Sequence, residues 1–169
     1  MKILGVLALR NLIFLMLLFF FSCAYTLTIP ESELNKRLQE GFPVKKEIYL
    51  SKVVLDNPRL KLIGKNEGEI IFDLDVIPPI GREIKGKVDA VGTFKFDPKT
   101  RTLYLVDLET KRITLNGKTF LTKDTGELLS LIFKSVLSRV PVYRFVGQKA
   151  KLIKNVEIER GKVVVKIGV

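Results

Sequence analysis

One stretch of the sequence alternates apolar or small residues with polar ones over thirteen positions, from Ile84 to Phe96. The apolar or small set comprises Ile84, Gly86, Val88, Ala90, Gly92, Phe94 and Phe96. Because successive side chains of a strand point to opposite faces, this period predicts one strand of about 43 Å with a single apolar face. Strands usually have only five or six residues. A sheet built on so long a strand must twist and bend, and Gly86 and Gly92 are the expected bending points.

Further extended segments flank this strand. Alternation predicts a strand over 70–76, a turn over 97–101, a second long strand over 102–115 and a closing hairpin with its turn at Arg160-Gly161. The apolar phase of 102–115 slips by one residue near Glu109 or Thr110, which indicates a bulge. Together these segments predict a long, curved antiparallel meander.

Two helices are also predicted. Thr28-Ile-Pro-Glu31 has the spacing of a capping box, in which Thr28 accepts a backbone hydrogen bond and Glu31 reaches back, and Leu34 and Leu38 supply one apolar side. Asp124-Thr-Gly-Glu127 has another capping-box spacing and opens a second predicted helix, which Pro141 ends. Its wide apolar face is made of Leu128, Leu129, Leu131, Ile132, Phe133, Val136, Leu137 and Val140. The expected fold class is α+β: a long, strongly curved antiparallel sheet packed on or wrapped around an amphipathic helix, with a second, short N-terminal helix.

The chain begins with an apolar segment that ends at its one cysteine. Lys2 and Arg10 supply positive charge, 12–21 is unbroken and apolar, and Ser22-Cys23 follows. This order is typical of an export signal. We therefore expect 1–22 to be a signal peptide of the lipoprotein type and 23–169 to be a single domain.

Cys23 is the predicted lipidation site and membrane anchor. A small residue followed by cysteine resembles the lipobox of bacterial lipoproteins, in which that cysteine becomes the lipidated first residue of the mature protein. Phe20 and Phe21 stand where such a box usually has leucine and a small or β-branched residue. Two alternatives stay open, an uncleaved N-terminal anchor and a plain structural cysteine. An internal disulfide is excluded, because it needs two cysteines.

The composition argues against catalysis. The chain has no histidine, so neither Ser-His nor Cys-His nucleophiles nor the usual Cys/His zinc sites are expected. Residues 81–87 have P-loop spacing, but Val88 replaces the required Ser or Thr and a strand follows where a helix is needed. Asp73 and Asp75 share one strand face without the oxygen-rich loop of a calcium site. We expect no enzyme, no catalytic residues, no metal and no cofactor.

The chain is strongly basic, with a formal net charge of +11. Its Lys and Arg residues are spread along the sequence, which is typical of a solvated surface, and outside the cytoplasm they favour anionic lipid headgroups as partners. Nucleic-acid binding is not expected, because alternation puts Phe94 and Phe96 on the face opposite the neighbouring lysines. Abundant Lys, Arg and Glu without His or Trp suggests a thermophilic source.

The apolar face of the long strand is the remaining candidate for a binding site. Small residues among large ones on the long strand predict a groove between the sheet and the second helix that accepts an apolar ligand. The predicted lining residues are Ile84, Val88, Ala90, Phe94 and Phe96 from the strand, with Leu129, Ile132, Phe133 and Val136 from the helix. The alternative is a filled core.

The layout resembles the YceB-like bacterial lipoproteins, a family of uncharacterised domains. The similar segments are Tyr-x-Leu-Thr-x-x-Glu-x-Glu-Leu-Asn-x-x-Leu at 25–38, Pro-Val-Tyr at 141–143, Ala-Lys at 150–151 and Ile-Glu-x-Gly at 158–161. The resemblance implies a relative of the tubular lipid-binding folds, in which a curved sheet wraps a long helix and encloses a hydrophobic tunnel. It also implies lipidation at Cys23 and no catalytic residues. Ala24 replaces the aspartate that retains related lipoproteins at the inner membrane, which implies the periplasmic face of the outer membrane.

We therefore expect a membrane-anchored periplasmic lipoprotein that binds a lipid or another apolar ligand between curved sheet and helix. The alternative is an anchored protein-interaction or envelope-assembly module with a filled core and no ligand. The sequence does not identify a protein partner.

Overall fold

The computed structural model describes residues 25–48, 50–121 and 138–168. The elements in chain order are β1 (Tyr25–Pro30), α1 (Glu31–Gln39), β2 (Val44–Ile48), β3 (Ser51–Gly64), β4 (Glu67–Ile77), β5 (Ile84–Asp97), β6 (Thr102–Leu115), β7 (Lys118–Leu121), β8 (Arg139–Arg144), a 3₁₀-helix (Gln148–Leu152), β9 (Ile153–Glu159) and β10 (Lys162–Ile167). Strands account for 68% of these residues.

The strands form two antiparallel sheets. The larger sheet has the order β2-β3-β4-β5-β6-β7, and its long strands curl it into a half-barrel. Along its outer edge, β6 pairs with β8 over its first half and with β7 over its last four residues. The smaller sheet, here called the cap, has the order β1-β10-β9. Apolar side chains from both sheets join one core.

The pairing of the two longest neighbouring strands is irregular where the sequence predicts a bulge. The pairing of β5 with β6 shifts register on either side of 90–91, opposite Glu109 and Thr110, which confirms the predicted bulge. Gly86 and Gly92 let the backbone of β6 approach closely; a Cβ on Gly92 would lie 2.7 Å from the Val106 carbonyl oxygen. Bulges and close backbone approach at glycines both increase the local twist of a sheet.

One end of the half-barrel carries the cap. We call it the cap end and define it as residues 62–69, 95–103 and 157–162. Ile158 N donates to Asn66 Oδ1 over 3.2 Å, and Phe145 N donates to the Arg101 carbonyl over 2.9 Å. These bonds tie β9 and the segment after β8 to the β3–β4 and β5–β6 turns.

The opposite end is formed by the β2–β3 turn, the β4–β5 loop and the β6–β7 turn. We call it the open rim and define it as the described residues of 44–54, 75–87 and 114–119. Its parts are joined by backbone pairing: Lys52 pairs with Ile77, and Asn116 N donates to the Lys85 carbonyl over 2.8 Å. Seven residues of β5, 88–94, separate the two ends, which corresponds to about 26 Å from 87 to 95 at the usual rise per residue.

Helix α1 covers an unpaired strand edge at the cap end. β2 pairs with β3 only at 51–55, so among the described strands the rest of that edge has no partner. The Asn35 amide donates to the Leu60 carbonyl and accepts from Leu60 N, both over 2.8 Å, and Glu31 Oε2 accepts from Leu62 N over 2.7 Å. These side chains take the place of a neighbouring strand at Leu60 and Leu62, where an unpaired edge could otherwise attract another chain.

The same helix also contacts β8, on the other side of the half-barrel. At the cap end the sheet runs from β3 to β8, so α1 lies between its two edges and closes the curve. At the open rim the sheet runs from β2 to β7. Among the described elements, none packs extensively against both of those strands.

The expected α+β class is wrong for the described chain. It is mostly β-structure, and its described α-helix has only nine residues, because strands supply nearly all of the core and α1 contributes Leu34 and Leu38. Most of the predicted second helix lies outside the described residues. Its expected last residues, Arg139 and Val140, belong to β8 instead, and Pro141 lies within that strand, where the alternation of buried Val140 and Val142 favours extended structure.

The predicted capping box is also absent. Thr28 lies in β1, and the helix starts at Glu31 after Pro30, which makes no side-chain capping bond. The Glu31 carboxylate accepts from the backbone of β3 instead of folding back. The predicted turn at Arg160-Gly161 is confirmed, with Gly161 at a φ of 76°.

Candidate functional site

The apolar face of the half-barrel is the candidate site. From β5, Val88, Ala90 and Phe94 are buried on this face, and Ile84 and Phe96 are half-buried. The five predicted lining residues of the strand therefore belong to one apolar surface. The four predicted on the second helix, Leu129, Ile132, Phe133 and Val136, lie outside the described residues. A ligand-lining role for either set stays a prediction.

The glycines of this face do not leave the groove that their small size suggested. A Cβ on Gly86 would lie 2.8 Å from a Leu115 methyl, and one on Gly92 would lie 3.0 Å from a Leu108 methyl. Large side chains of the neighbouring strand therefore fill the space above both positions. The sequence reveals that a residue is small, but not that a leucine of the next strand occupies the space beside it.

The apolar face continues from the interior to the open rim. Phe72, Leu74, Val88 and Ile113 are fully buried in its middle. Val76, Ile84 and Leu115 follow toward the rim and are half-buried. Beyond them, in the β4–β5 loop, Ile80 is 91% exposed. One apolar surface thus leads from the core to solvent at the end that α1 does not close.

Aromatic contacts fill the middle of the apolar face and its cap end. In the middle, Phe42, which follows α1, stacks on Phe72 with ring centroids 5.5 Å apart. Phe145 meets Phe96 edge-on at 5.6 Å and Tyr143 at 5.0 Å. Rings packed in this way add stability beyond their buried area. The half of the apolar face nearest the cap is consequently occupied by the protein's own side chains.

Two clefts of about 600 and 520 Å³ lie on the outside of the cap end, and both border Tyr104. Arg139 stacks on the Tyr104 ring at 3.4 Å and donates to Asp97 over 3.0 Å. The backbone N–H of Lys99 donates to Asp97 and, with Arg139, lowers the pKa of that carboxyl below its usual value. A hydrogen bond with Thr100 lowers the pKa of Tyr104.

Charged side chains and tyrosines line these clefts. The cleft between α1 and β8 is lined by Arg37, Glu40 and Arg144 together with Tyr104 and Tyr143.

No group of three or more carboxylates that could hold a metal ion occurs among the described residues. Within that same part of the chain, no helix is long and apolar enough to cross a bilayer.

A family model described as a protein of unknown function, DUF1439, matches residues 29–162. The chain belongs to the DUF1439 family. The match starts in β1 and ends at the first residue of β10, so the DUF1439 region contains α1, the half-barrel and strand β9 of the cap. No curated protein matches the sequence. Membership in an uncharacterised family is consistent with the resemblance found in the sequence, whereas the specific relation to YceB-like lipoproteins stays a prediction.

The role of Asn35 was not predicted from the sequence. This residue makes two hydrogen bonds to Leu60 and holds α1 on the free edge of β3. Its position between Leu34 and Leu38, both fully buried, was the available signal, because an amide so close to a buried helix face needs partners. In the DUF1439 chain, the Glu-x-Glu-Leu-Asn segment thus closes the half-barrel.

Proposed function

We propose that this protein is a membrane-anchored protein of the bacterial cell envelope that binds a lipid or a similar apolar molecule at the open half of its half-barrel. One observation carries the proposal. The apolar face reaches solvent at the open rim, while α1 bridges the sheet edges only at the cap end. A curled antiparallel sheet of this kind is compatible with lipid-binding folds.

An acyl chain matches such a surface chemically. Each CH₂ group moved from water to an apolar surface contributes about 0.8 kcal/mol, so ten groups would contribute about 8 kcal/mol before the costs of association. An affinity in the micromolar range would need about that much net free energy. The rim residues Val76, Ile84 and Leu115 supply apolar contacts that are not yet fully buried. The polar headgroup would remain in solvent at the rim.

The proposed anchor is Cys23, two residues before β1 in the sequence. Lipidation there would hold the domain at a membrane surface, since two or more acyl chains give stable attachment whereas one binds marginally. The periplasmic face of the outer membrane is the proposed location. Catalysis forms no part of this proposal.

Photo-crosslinking tests ligand binding on the full chain. The protein is purified from membranes in mild detergent and exposed to a photoreactive fatty acid, and labelled peptides are identified by mass spectrometry. We expect saturable labelling of peptides from the open half, around 84–88 and 113–115, that unlabelled fatty acid competes away. Labelling confined to residues 1–22, or labelling that does not saturate, would refute the proposal.

A pair of matched variants sharpens this experiment. Ile84→Glu places a charge on the apolar face near the open rim and should reduce labelling at least about fivefold, because a carboxylate is costly to bury beside an acyl chain. Ile63→Glu is the control, since Ile63 is 38% exposed and lies at the cap end. Its labelling should equal that of the unmodified protein, and equal losses in both variants would indicate a general effect on the fold.

A second candidate is an anchored interaction or assembly module with a filled core. The observation in its favour is that Leu115 and Leu108 already occupy the space above Gly86 and Gly92. It predicts that native protein extracted with organic solvent releases no lipid and that crosslinking in cells captures one specific protein. Co-purifying lipid in amounts close to one per chain would exclude this alternative.

A further inference from the structure

Three of the seven large apolar side chains that are exposed in the described part of the chain lie at the open rim. Leu50, in the β2–β3 turn, is 87% exposed, and Ile80, in the β4–β5 loop, is 91% exposed. Ile77 lies at the end of β4, pairs with Lys52 and is 39% exposed. Isolated exposed apolar residues are ordinary, but a group of them at one end of a domain marks an interaction surface.

The backbone holds these side chains outward. Leu50 has a φ of 66°, a left-handed conformation that is costly for a residue with a side chain and that glycine or asparagine usually occupies. Ile80 follows Pro78 and Pro79, whose rings restrict the loop, and precedes Gly81 at a φ of 115°. In both turns, therefore, a backbone with few accessible conformations presents a large aliphatic side chain to solvent.

Basic residues surround this apolar group. The open rim carries seven basic and three acidic side chains, a net charge of +4. The cap end carries six basic and five acidic side chains, a net charge of +1. Lys45, Lys52 and Lys118 are exposed, and Lys85 has a carboxylate neighbour only at 3.8 Å, from Glu83. The protein is thus more positive at the end where it is also more apolar.

We propose that the open rim docks onto an anionic lipid bilayer. Leu50, Ile77 and Ile80 would enter the boundary between headgroups and acyl chains, while the surrounding Lys and Arg side chains bind lipid phosphates. Protruding aliphatic residues within a basic surface suit this boundary, because it is apolar below and negatively charged above. The inference deepens the proposed function: a lipid would pass from the bilayer to the apolar face of the sheet without crossing water.

Site-specific fluorescence tests docking. In full chain carrying Cys23→Ser and held in phosphatidylcholine nanodiscs, a single cysteine at 50 or 80 is labelled with the polarity-sensitive dye NBD. Vesicles containing phosphatidylglycerol and nitroxide-labelled lipid are then added. We expect a blue shift and quenching at both positions, with binding at least about tenfold tighter than to phosphatidylcholine vesicles and weakened by 0.5 M NaCl. A label at Lys99, in the turn at the cap end, should stay unquenched.

Matched variants distinguish docking through the open rim from nonspecific adsorption to vesicles. With the label at position 50, Ile80→Asp should weaken binding to the anionic vesicles at least about fivefold. Val146→Asp should leave binding unchanged, because Val146 is 81% exposed but lies beside the cap end. Labels at 50 and 80 that remain in water with bound vesicles, or a Lys99 label quenched equally, would overturn the proposal.

Two further outcomes are informative. A blue shift that grows with protein concentration and needs no vesicles would assign the rim to a second copy of this chain and would also overturn the proposal. Docking does not require a bound ligand. Rim quenching in a protein that takes up no photoreactive fatty acid would support docking while refuting the proposed lipid binding.

Discussion

The ring of Phe94 covers Gly68 on the neighbouring strand. A Cβ added to Gly68 would lie 2.6 Å from Phe94 Cε2, closer than side chains approach one another in folded proteins. Gly68 pairs directly with Gly92, so two glycines lie side by side, and the phenyl ring fills the space over one of them. An aromatic ring over a strand glycine replaces the packing that the glycine lacks.

Gly68→Ala should destabilise the fold by about 1–3 kcal/mol, the usual cost of overpacking a closely packed core. Urea unfolding of the full chain measures the change. Gly41→Ala is the control, because its added Cβ would meet only the Leu38 carbonyl at 3.5 Å, an ordinary contact. Adding Phe94→Leu to Gly68→Ala should recover part of the loss. Strictly additive losses in the double variant would contradict the contact.

Asn35→Ala should cost about 1–3 kcal/mol of unfolding free energy, because it leaves the Leu60 N–H and carbonyl without their partner. Hydrogen exchange should show faster exchange of the Leu60 amide in particular. The control is Asn155→Ala, which removes one exposed side-chain bond to Glu157 and should change stability by no more than about 0.5 kcal/mol. Equal effects of the two variants would show that α1 is not held by Asn35.

Asp97 should contribute to the acid sensitivity of the protein. Its pKa is lowered in the folded state by the Lys99 N–H and by Arg139, so its stabilising effect is complete above the unfolded pKa and disappears as pH falls through the folded pKa. Thermal unfolding of Asp97→Asn should therefore show a lower Tm than the unmodified protein at pH 7 and a smaller difference at pH 2. A difference that is the same at both values would argue against the ion pair with Arg139.

Cys23→Ser tests the proposed anchor in cells of the source organism or a related bacterium. Metabolic labelling with palmitate should mark the unmodified protein and not the variant, and the variant should retain residues 1–22 when its N-terminus is sequenced. Exposed Tyr25→Ser, two positions along the chain, is the control and should keep the label. Palmitate incorporation into Cys23→Ser would exclude lipidation at this cysteine.

Much of the half-barrel could be predicted from the sequence. The long strand at 84–97, the turn before β6, the bulge opposite 90–91 and the final hairpin all follow from alternation, turn residues and one phase slip. These signals concern neighbours along the chain. The prediction of a helix around Val140 was wrong because the apolar residues there also fit a helical period. Pairing with β6 makes this segment a strand.

The sequence by itself determined which side chains share a face of each strand, because that period depends only on neighbouring backbone geometry. Only the tertiary structure decided that Leu115 fills the space beside Gly86 and that Asn35 bonds the free edge of β3. It also decided that Leu50 and Ile80 project from the same end of the half-barrel. These relationships join residues about 25 or more positions apart, and no local pattern encodes which distant strand edge or turn a residue will meet.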